Sequence, residues 1–211
     1  MDPLAVDLYS DFLCPWCFNG SLRMRQLEEE FGDAIRVRWR SYLLRPDPQP
    51  GRDLERFRAY TQSWERAAAD EPRAVFRTWQ GDAGPPSHSV PAHVAAKAAA
   101  SVGREAERAI RDRLFRAYFA ESRDISDRET LRALWAEAGL APEEFARTDD
   151  PAFEKQVRAE HAEALALEAT GVPAVRVGES DFVLVGAQPI EAWRRWLRRS
   201  LERRAESGEG T

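Results

Sequence analysis

Cysteine is nearly absent from this 211-residue chain: there are two, at positions 14 and 17 of the stretch SDFLCPWCF. So few exclude a disulfide-stapled scaffold, and a bridge between residues three apart closes a loop too short to constrain the unfolded chain much. Lysine is almost missing too, with Lys97 and Lys155 standing alone, so the basic charge rests on arginine. Thirty-one basic against thirty-six acidic residues leave a net charge of −5, which argues against a nucleic-acid partner. No apolar run approaches the roughly 18 residues of a membrane span. The N-terminus MDPLAVDLYSDF lacks a basic region followed by an apolar run, so no secretory signal is visible and the expected compartment is the cytoplasm. Neither a Gly-rich phosphate loop nor Gly-x-Ser-x-Gly occurs, and no internal repeat stands out.

What is present reads as a mixed α/β chain. Hydrophobic residues make up 43%, with seven Trp and ten Phe, enough for a normal core. Leu4 to Tyr9 alternates as a strand, with Leu4, Val6 and Leu8 on one face; the cysteine stretch follows; Met24, Leu27 and Phe31 then recur at helical spacing up to Gly32. Ile35 to Leu43 alternates again. After the proline-rich break Arg45–Pro50, residues to about Arg147 carry helix signals and little strand signal. Pro91–Ala100 and Arg104–Ala120 are expected helices, and Ser126 to Glu129 has capping-box spacing. Asp150-Pro151 opens a helix with Phe153, Val157, His161, Ala164 and Leu165 along one face. Val172–Val177 and Phe182–Val185 read as strands joined by a hairpin turn, and Gln188-Pro189-Ile190 opens a last helix with Trp193, Trp196 and Leu197 inward. Arg194, Arg195, Arg198 and Arg199 would form its solvated face. The order is βαβ, a helical block, then αββα.

A Cys-x-x-Cys at the first strand-to-helix junction of this pattern points to redox chemistry. Pro15 suits the first helical position, and free N–H groups and the helix dipole there favour the thiolate of Cys14. Cys14 is therefore expected to be the exposed attacker in thiol–disulfide exchange, with Cys17, one turn on and more buried, resolving the mixed disulfide. At the entrance of the third strand, Pro173 is a candidate cis-proline facing the sulfurs, and Val172 offers free backbone to an extended substrate. Pro15 and Trp16 complete the expected substrate contact. Asp11 reads as a turn-stabilising residue.

SDFLCPWC, AYFAESRDISD, ATGVPAVRV and VGAQPIEAW resemble the DsbA-like thioredoxin-fold oxidoreductases, in particular their cytosolic FrnE-like branch, over nearly the whole chain. The resemblance implies a thioredoxin fold carrying a large all-helical insertion; the element order and composition put thioredoxin segments at 1–44 and 151–205, the insertion at 45–150 and a disordered tail at 206–211. It implies thiol–disulfide oxidoreductase or isomerase activity with Cys14 as nucleophile, Cys17 as resolving thiol and Pro173 as the cis-proline. No bound cofactor or metal is expected; glutathione is a candidate redox partner, and the substrates would be protein or small-molecule disulfides and thiols. One departure stands at Glu168, where such relatives often carry the first glycine of Gly-Val-x-Gly-Val-Pro.

Three other readings are open to the same residues. Cys14, Cys17, His88 and His93 would make a zinc set, but about seventy residues separate the pairs. The chain also resembles the glutathione-dependent 2-hydroxychromene-2-carboxylate isomerase and kappa-class transferase group, whose members usually place serine where Cys14 stands. A holdase-like surface built from Trp16, Phe18, Trp64 and Trp79 is the non-enzymatic alternative. Between the cysteines, Trp16 brings no ionisable group, unlike a histidine in that slot. A redox titration is therefore expected to give a couple less oxidising than the roughly −120 mV of DsbA; a value at that end would contradict the assignment.

Overall fold

The computed structural model describes residues 2–82 and 84–208. It runs β1 (Leu4–Ser10), α1 (Pro15–Phe31), β2 (Ile35–Ser41), then five helices: α2 (Leu54–Thr61), α3 (Glu65–Asp70), α4 (Val90–Val102), α5 (Arg104–Glu121) and α6 (Arg128–Glu137). A 3₁₀ stretch at Pro142–Asp149 leads into α7 (Pro151–Ala166), β3 (Ala174–Val177), β4 (Val183–Val185) and α8 (Ile190–Gly208). The sheet order is β2-β1-β3-β4, with β1 parallel to β2 and antiparallel to β3, and β3 antiparallel to β4. A parallel pair needs a crossover connection, and α1 supplies it. This is the thioredoxin arrangement, with its helical block between β2 and α7.

Strand alternation decides the layers. Leu4, Val6 and Leu8 join Ile35, Val37, Val175 and Val177 on one face, covered by Met24 and Leu27 of α1 and by Trp193 and Leu197 of α8. Tyr9 and Ala174 point the other way, towards Ala164 of α7 and Ala169. Asp7 is buried in β1 and meets Arg38, its register partner on β2, through two contacts of 2.7 Å. The block between the strands has its own core, in which Phe57, Trp64, Trp79, Phe115, Tyr118 and Phe119 are buried. Phe12, Leu13 and Phe18, from the β1–α1 junction, enter that same cluster. No helix is long and apolar enough to cross a membrane among the described residues.

Several local expectations change. The N-cap of α6 is Asp127, whose carboxylate accepts from Thr130 N at 2.8 Å, rather than Ser126, whose hydroxyl turns to Asp124. The aspartate wins because its charge faces the helix dipole directly. The final helix continues through Gly208, three residues into the tail expected to be disordered from 206; residues 209–211 lie outside the described residues. Trp64 and Trp79 are each 1% exposed and Phe18 is buried. The apolar surface that a holdase would need is therefore spent inside the helical core, leaving Trp16 exposed at 38%.

The end of α7 explains the departure at Glu168. Ala169 N donates to Ala164 O and Glu168 N to Leu165 O, both at 3.0 Å, which is the Schellman pairing that closes a helix. Its pivot is Glu168 at φ +56°, in the left-handed region where glycine is at ease and a side chain costs about 1–2 kcal/mol. The helix thus ends as it would with glycine, under local strain. Glu168→Gly should raise the urea unfolding free energy by about 0.5–1 kcal/mol after the greater freedom of the unfolded glycine is subtracted; unchanged or lower stability would show that the turn is unstrained.

Candidate functional site

The site grows from the junction of β1 and α1. Proline loses nothing at the first helical position, because the N–H it lacks would have no intrahelical partner. Pro15 therefore starts α1, and Cys14 becomes its N-cap, with Sγ accepting from Cys17 N at 3.3 Å. On its other side the Cys14 thiol donates to the Val172 carbonyl at 3.4 Å, and the Val172–Pro173 peptide is cis. Cys17, one turn along, is wholly buried, and its Sγ accepts from Asp11 N at 3.5 Å. Burial first, then the hydrogen bond and charge of Cys14, push the Cys17 thiol well above the usual range. Both cysteines are free.

Close approach at the third strand is permitted by Gly20. A Cβ added there would stand 3.0 Å from Cγ of Pro173 and 3.3 Å from Cη2 of Trp193. Pro173 thus seats on α1 one turn beyond Cys17, which brings Val172 over Cys14. Of the residues read from the sequence, Cys14, Cys17, Val172 and Pro173 converge, with Pro15 half-buried and Trp16 exposed beside them. The expected exposure of Cys14 is corrected: it is 5% exposed, because Val172 caps the sulfur and Phe12 and Leu13 pack behind it. Cys17 remains the more buried of the two.

The histidines go elsewhere. His93 packs on Phe12 with ring centroids 4.9 Å apart, His88 bonds the Ser87 hydroxyl, and His161 accepts from Leu43 N at 3.2 Å. Among the described residues no three His, Cys, Asp or Glu side chains group as metal ligands.

Asp11 is the residue whose reach the sequence understated. Its carboxylate, wholly buried, accepts from Leu13 N at 2.7 Å on one oxygen, and from Leu44 N and Ser89 Oγ at 2.6 Å on the other. Leu44 follows β2 and Ser89 precedes α4, so no local pattern announces either contact. Desolvation outweighs these three donors and pushes the carboxyl up to about 6. His93 Nε2 lies 3.9 Å away, but burial first, then Lys97 and His161, pull that imidazole down to about 3, so it stays neutral.

Comparison with known proteins places the fold. The family model described as "DSBA-like thioredoxin domain" matches residues 5–198. A probable DsbA oxidoreductase from Streptomyces coelicolor is 32% identical, with a TM-score of 0.73 over 93% of this chain and 89% of that one. The cytosolic disulfide reductase DsbM from Pseudomonas aeruginosa is 24% identical, with a TM-score of 0.74 over 94% and 99%; it has also been solved with GSH. A 2-hydroxychromene-2-carboxylate isomerase shares the fold at 17% identity, with a TM-score of 0.64 over 96% and 98%.

The buried carboxyl gives a pH signature. Between about 3.9, the unfolded value, and about 6, the native state holds a proton that the unfolded chain has released. Its stabilising contribution is therefore present at low pH and is lost as pH rises through that window. The depressed His93 works in the opposite sense, because below about 6.5 the unfolded chain takes a proton that native His93 refuses. Comparing wild type with Asp11→Asn cancels the histidine. Between pH 4.5 and 7.5 the wild type should lose about 2 kcal/mol relative to the variant in urea unfolding; parallel profiles would show that Asp11 ionises normally.

Proposed function

Because the chain belongs to the DSBA-like thioredoxin domain family, we propose that it is a cytoplasmic thiol–disulfide oxidoreductase whose working pair is Cys14 and Cys17. The observation that carries this reading is the position of Cys14 Sγ between the α1 N-terminus, 3.3 Å from Cys17 N, and the Val172 carbonyl at 3.4 Å. An N-terminal helix N–H aimed at sulfur stabilises negative charge there. The Cys14 thiolate attacks one sulfur of a substrate disulfide; that S–S bond breaks, and the other sulfur leaves as a thiolate and takes a proton. Cys17 then loses its proton and attacks the Cys14 sulfur, releasing the second substrate thiol and leaving a Cys14–Cys17 disulfide. Two electrons have passed to the substrate, and two equivalents of an external thiol such as glutathione restore the pair.

The surrounding residues time these steps. Cys17, with its pKa raised by burial, stays protonated while Cys14 makes the first attack. Once Cys14 ionises to attack, it no longer has a proton to donate to Val172, and that carbonyl becomes free to accept an N–H from an extended substrate. Trp16, exposed at the rim, offers an apolar face to the same segment. An isomerase resting on bound glutathione would need neither Cys17 nor its buried pKa, and these favour dithiol chemistry.

Cys14→Ser should reduce insulin disulfide reduction to the uncatalysed rate. Cys17→Ser should accumulate a single adduct with glutathione disulfide at Cys14, visible by intact mass and removed by dithiothreitol. Absence of any adduct would reject the proposal, and glutathione-dependent turnover of an aromatic substrate surviving in Cys17→Ser would replace it with the isomerase.

A further inference from the structure

A cavity of about 640 Å³ lies at the β2 edge of the sheet, floored by Val37, Trp39 and Arg40 and walled by the second half of α1 and the first half of α5. Arg25 and Glu29, on its α1 wall, are eleven and fifteen residues beyond Cys14, roughly 17–22 Å along the helix at 1.5 Å per residue. It is not the cysteine site. Its volume falls within the roughly 300–1,000 Å³ of small-molecule pockets.

Charge selects the occupant. Eight cationic side chains line the cavity against five carboxylates, although the whole chain carries −5. Six of the eight have carboxylate partners; Arg40 and Lys97, for instance, both reach Glu160. The remaining two differ in surroundings. Arg36 is exposed and free to hydrate, whereas Arg111 is 5% exposed.

Arg111 forms no hydrogen bond or ion pair among the described residues, and its guanidinium carbon sits 3.0 Å from the centroid of the Trp39 ring. The stack satisfies the face of the guanidinium and leaves the N–H donors in its plane without acceptors. Glu107, one turn back on α5, also lines the cavity and stays outside ion-pairing distance. Burial pulls Arg111 down to about 9, which still leaves it cationic at neutral pH. A buried, unpaired cation is an unfavourable arrangement for a folded chain alone, and this one opens onto a cavity whose other cations, apart from the exposed Arg36, have carboxylate partners.

We propose that Arg111 is the receptor of a small-molecule oxyanion, a carboxylate or phosphate group held by its in-plane N–H fork, with Trp39 fixing the plane of the guanidinium. A planar fork suits two-point recognition of such oxygens. The site is independent of the dithiol reading and stands if that reading fails.

The test titrates the reduced full-length protein with inorganic phosphate and, separately, with succinate, keeping ionic strength constant with potassium chloride. Thermal unfolding and calorimetric affinity are read together. Saturable stabilisation by one of them, beyond chloride, is expected, and which one responds identifies the group as phosphate or carboxylate. Arg111→Met should weaken binding at least ~10-fold, the scale of a lost charged hydrogen bond, and should unfold no earlier than wild type without anion. Arg36→Gln should bind within about twofold of wild type, being solvated already. Cys14→Ser/Cys17→Ser should respond as wild type does. Equal stabilisation by chloride, an undiminished response in Arg111→Met, or a response that vanishes with the cysteines would each overturn the proposal. Should Arg111→Met not fold, hydrogen exchange on the wild type decides: anion-dependent protection of 36–40 and 104–111 supports the site, and its absence rejects it.

Discussion

Everything around the cysteines hangs on the buried carboxylate of Asp11. Its two oxygens collect donors from three separate stretches: Leu13 in the β1–α1 loop, Leu44 beyond β2 and Ser89 at the head of α4. The backbone N–H of the same residue points at Cys17 Sγ. One side chain therefore fixes the loop that presents the thiols, the exit of the second strand and the entry of the helical block. Hydrogen bonds to a charged group contribute about 1.5–3 kcal/mol each, yet desolvation is the larger influence and raises the carboxyl to about 6. The junction is held by an interaction that is itself under electrostatic tension.

From that fixed loop the placement of the two thiols follows by geometry. Pro15 sets the start of α1, the start of α1 puts a backbone N–H on Cys14, and Gly20 lets Pro173 come near enough for Val172 to cover the sulfur. The two thiols then differ in environment. Cys14 touches a helix terminus and a carbonyl, while Cys17 is enclosed with its pKa driven up by burial. The proposed order, attack by Cys14 and resolution by Cys17, rests on this asymmetry.

Local patterns made much of this visible in advance. Alternation located the strands, since Leu4, Val6 and Leu8 share a face whatever the tertiary context. The Cys-Pro-x-Cys junction and the proline before β3 are likewise local signals. Contacts across long stretches of sequence were not legible: Ser89 reaches Asp11 over 78 residues and Val172 reaches Cys14 over 158. Cys14 accordingly looked exposed until Val172 was placed on it. Trp64 and Trp79 could have faced solvent or core on spacing alone, and packing against Phe57 and Tyr118 decided for the core. Glu168 misled differently, because its identity argues against the left-handed turn that the surrounding helix end imposes.

The helical block is a wall of the site rather than an appendage. Phe18, one residue after Cys17, stacks on Phe115 with centroids 5.1 Å apart and on Phe119 at 5.9 Å, while Phe12 meets Phe115 at 5.0 Å. These rings come from both sides of the dithiol, so the loop between them is clamped to α5 at two points. Aromatic pairs of this kind contribute about 0.5–1.5 kcal/mol beyond their buried area. A loop held by two such contacts, by Asp11 beneath and by Val172 above has little room to relax when its thiols change state. On the proposed dithiol reading, exchange proceeds by moving protons and sulfur bonds within a closely held frame, and selectivity falls to what can approach past the exposed Trp16.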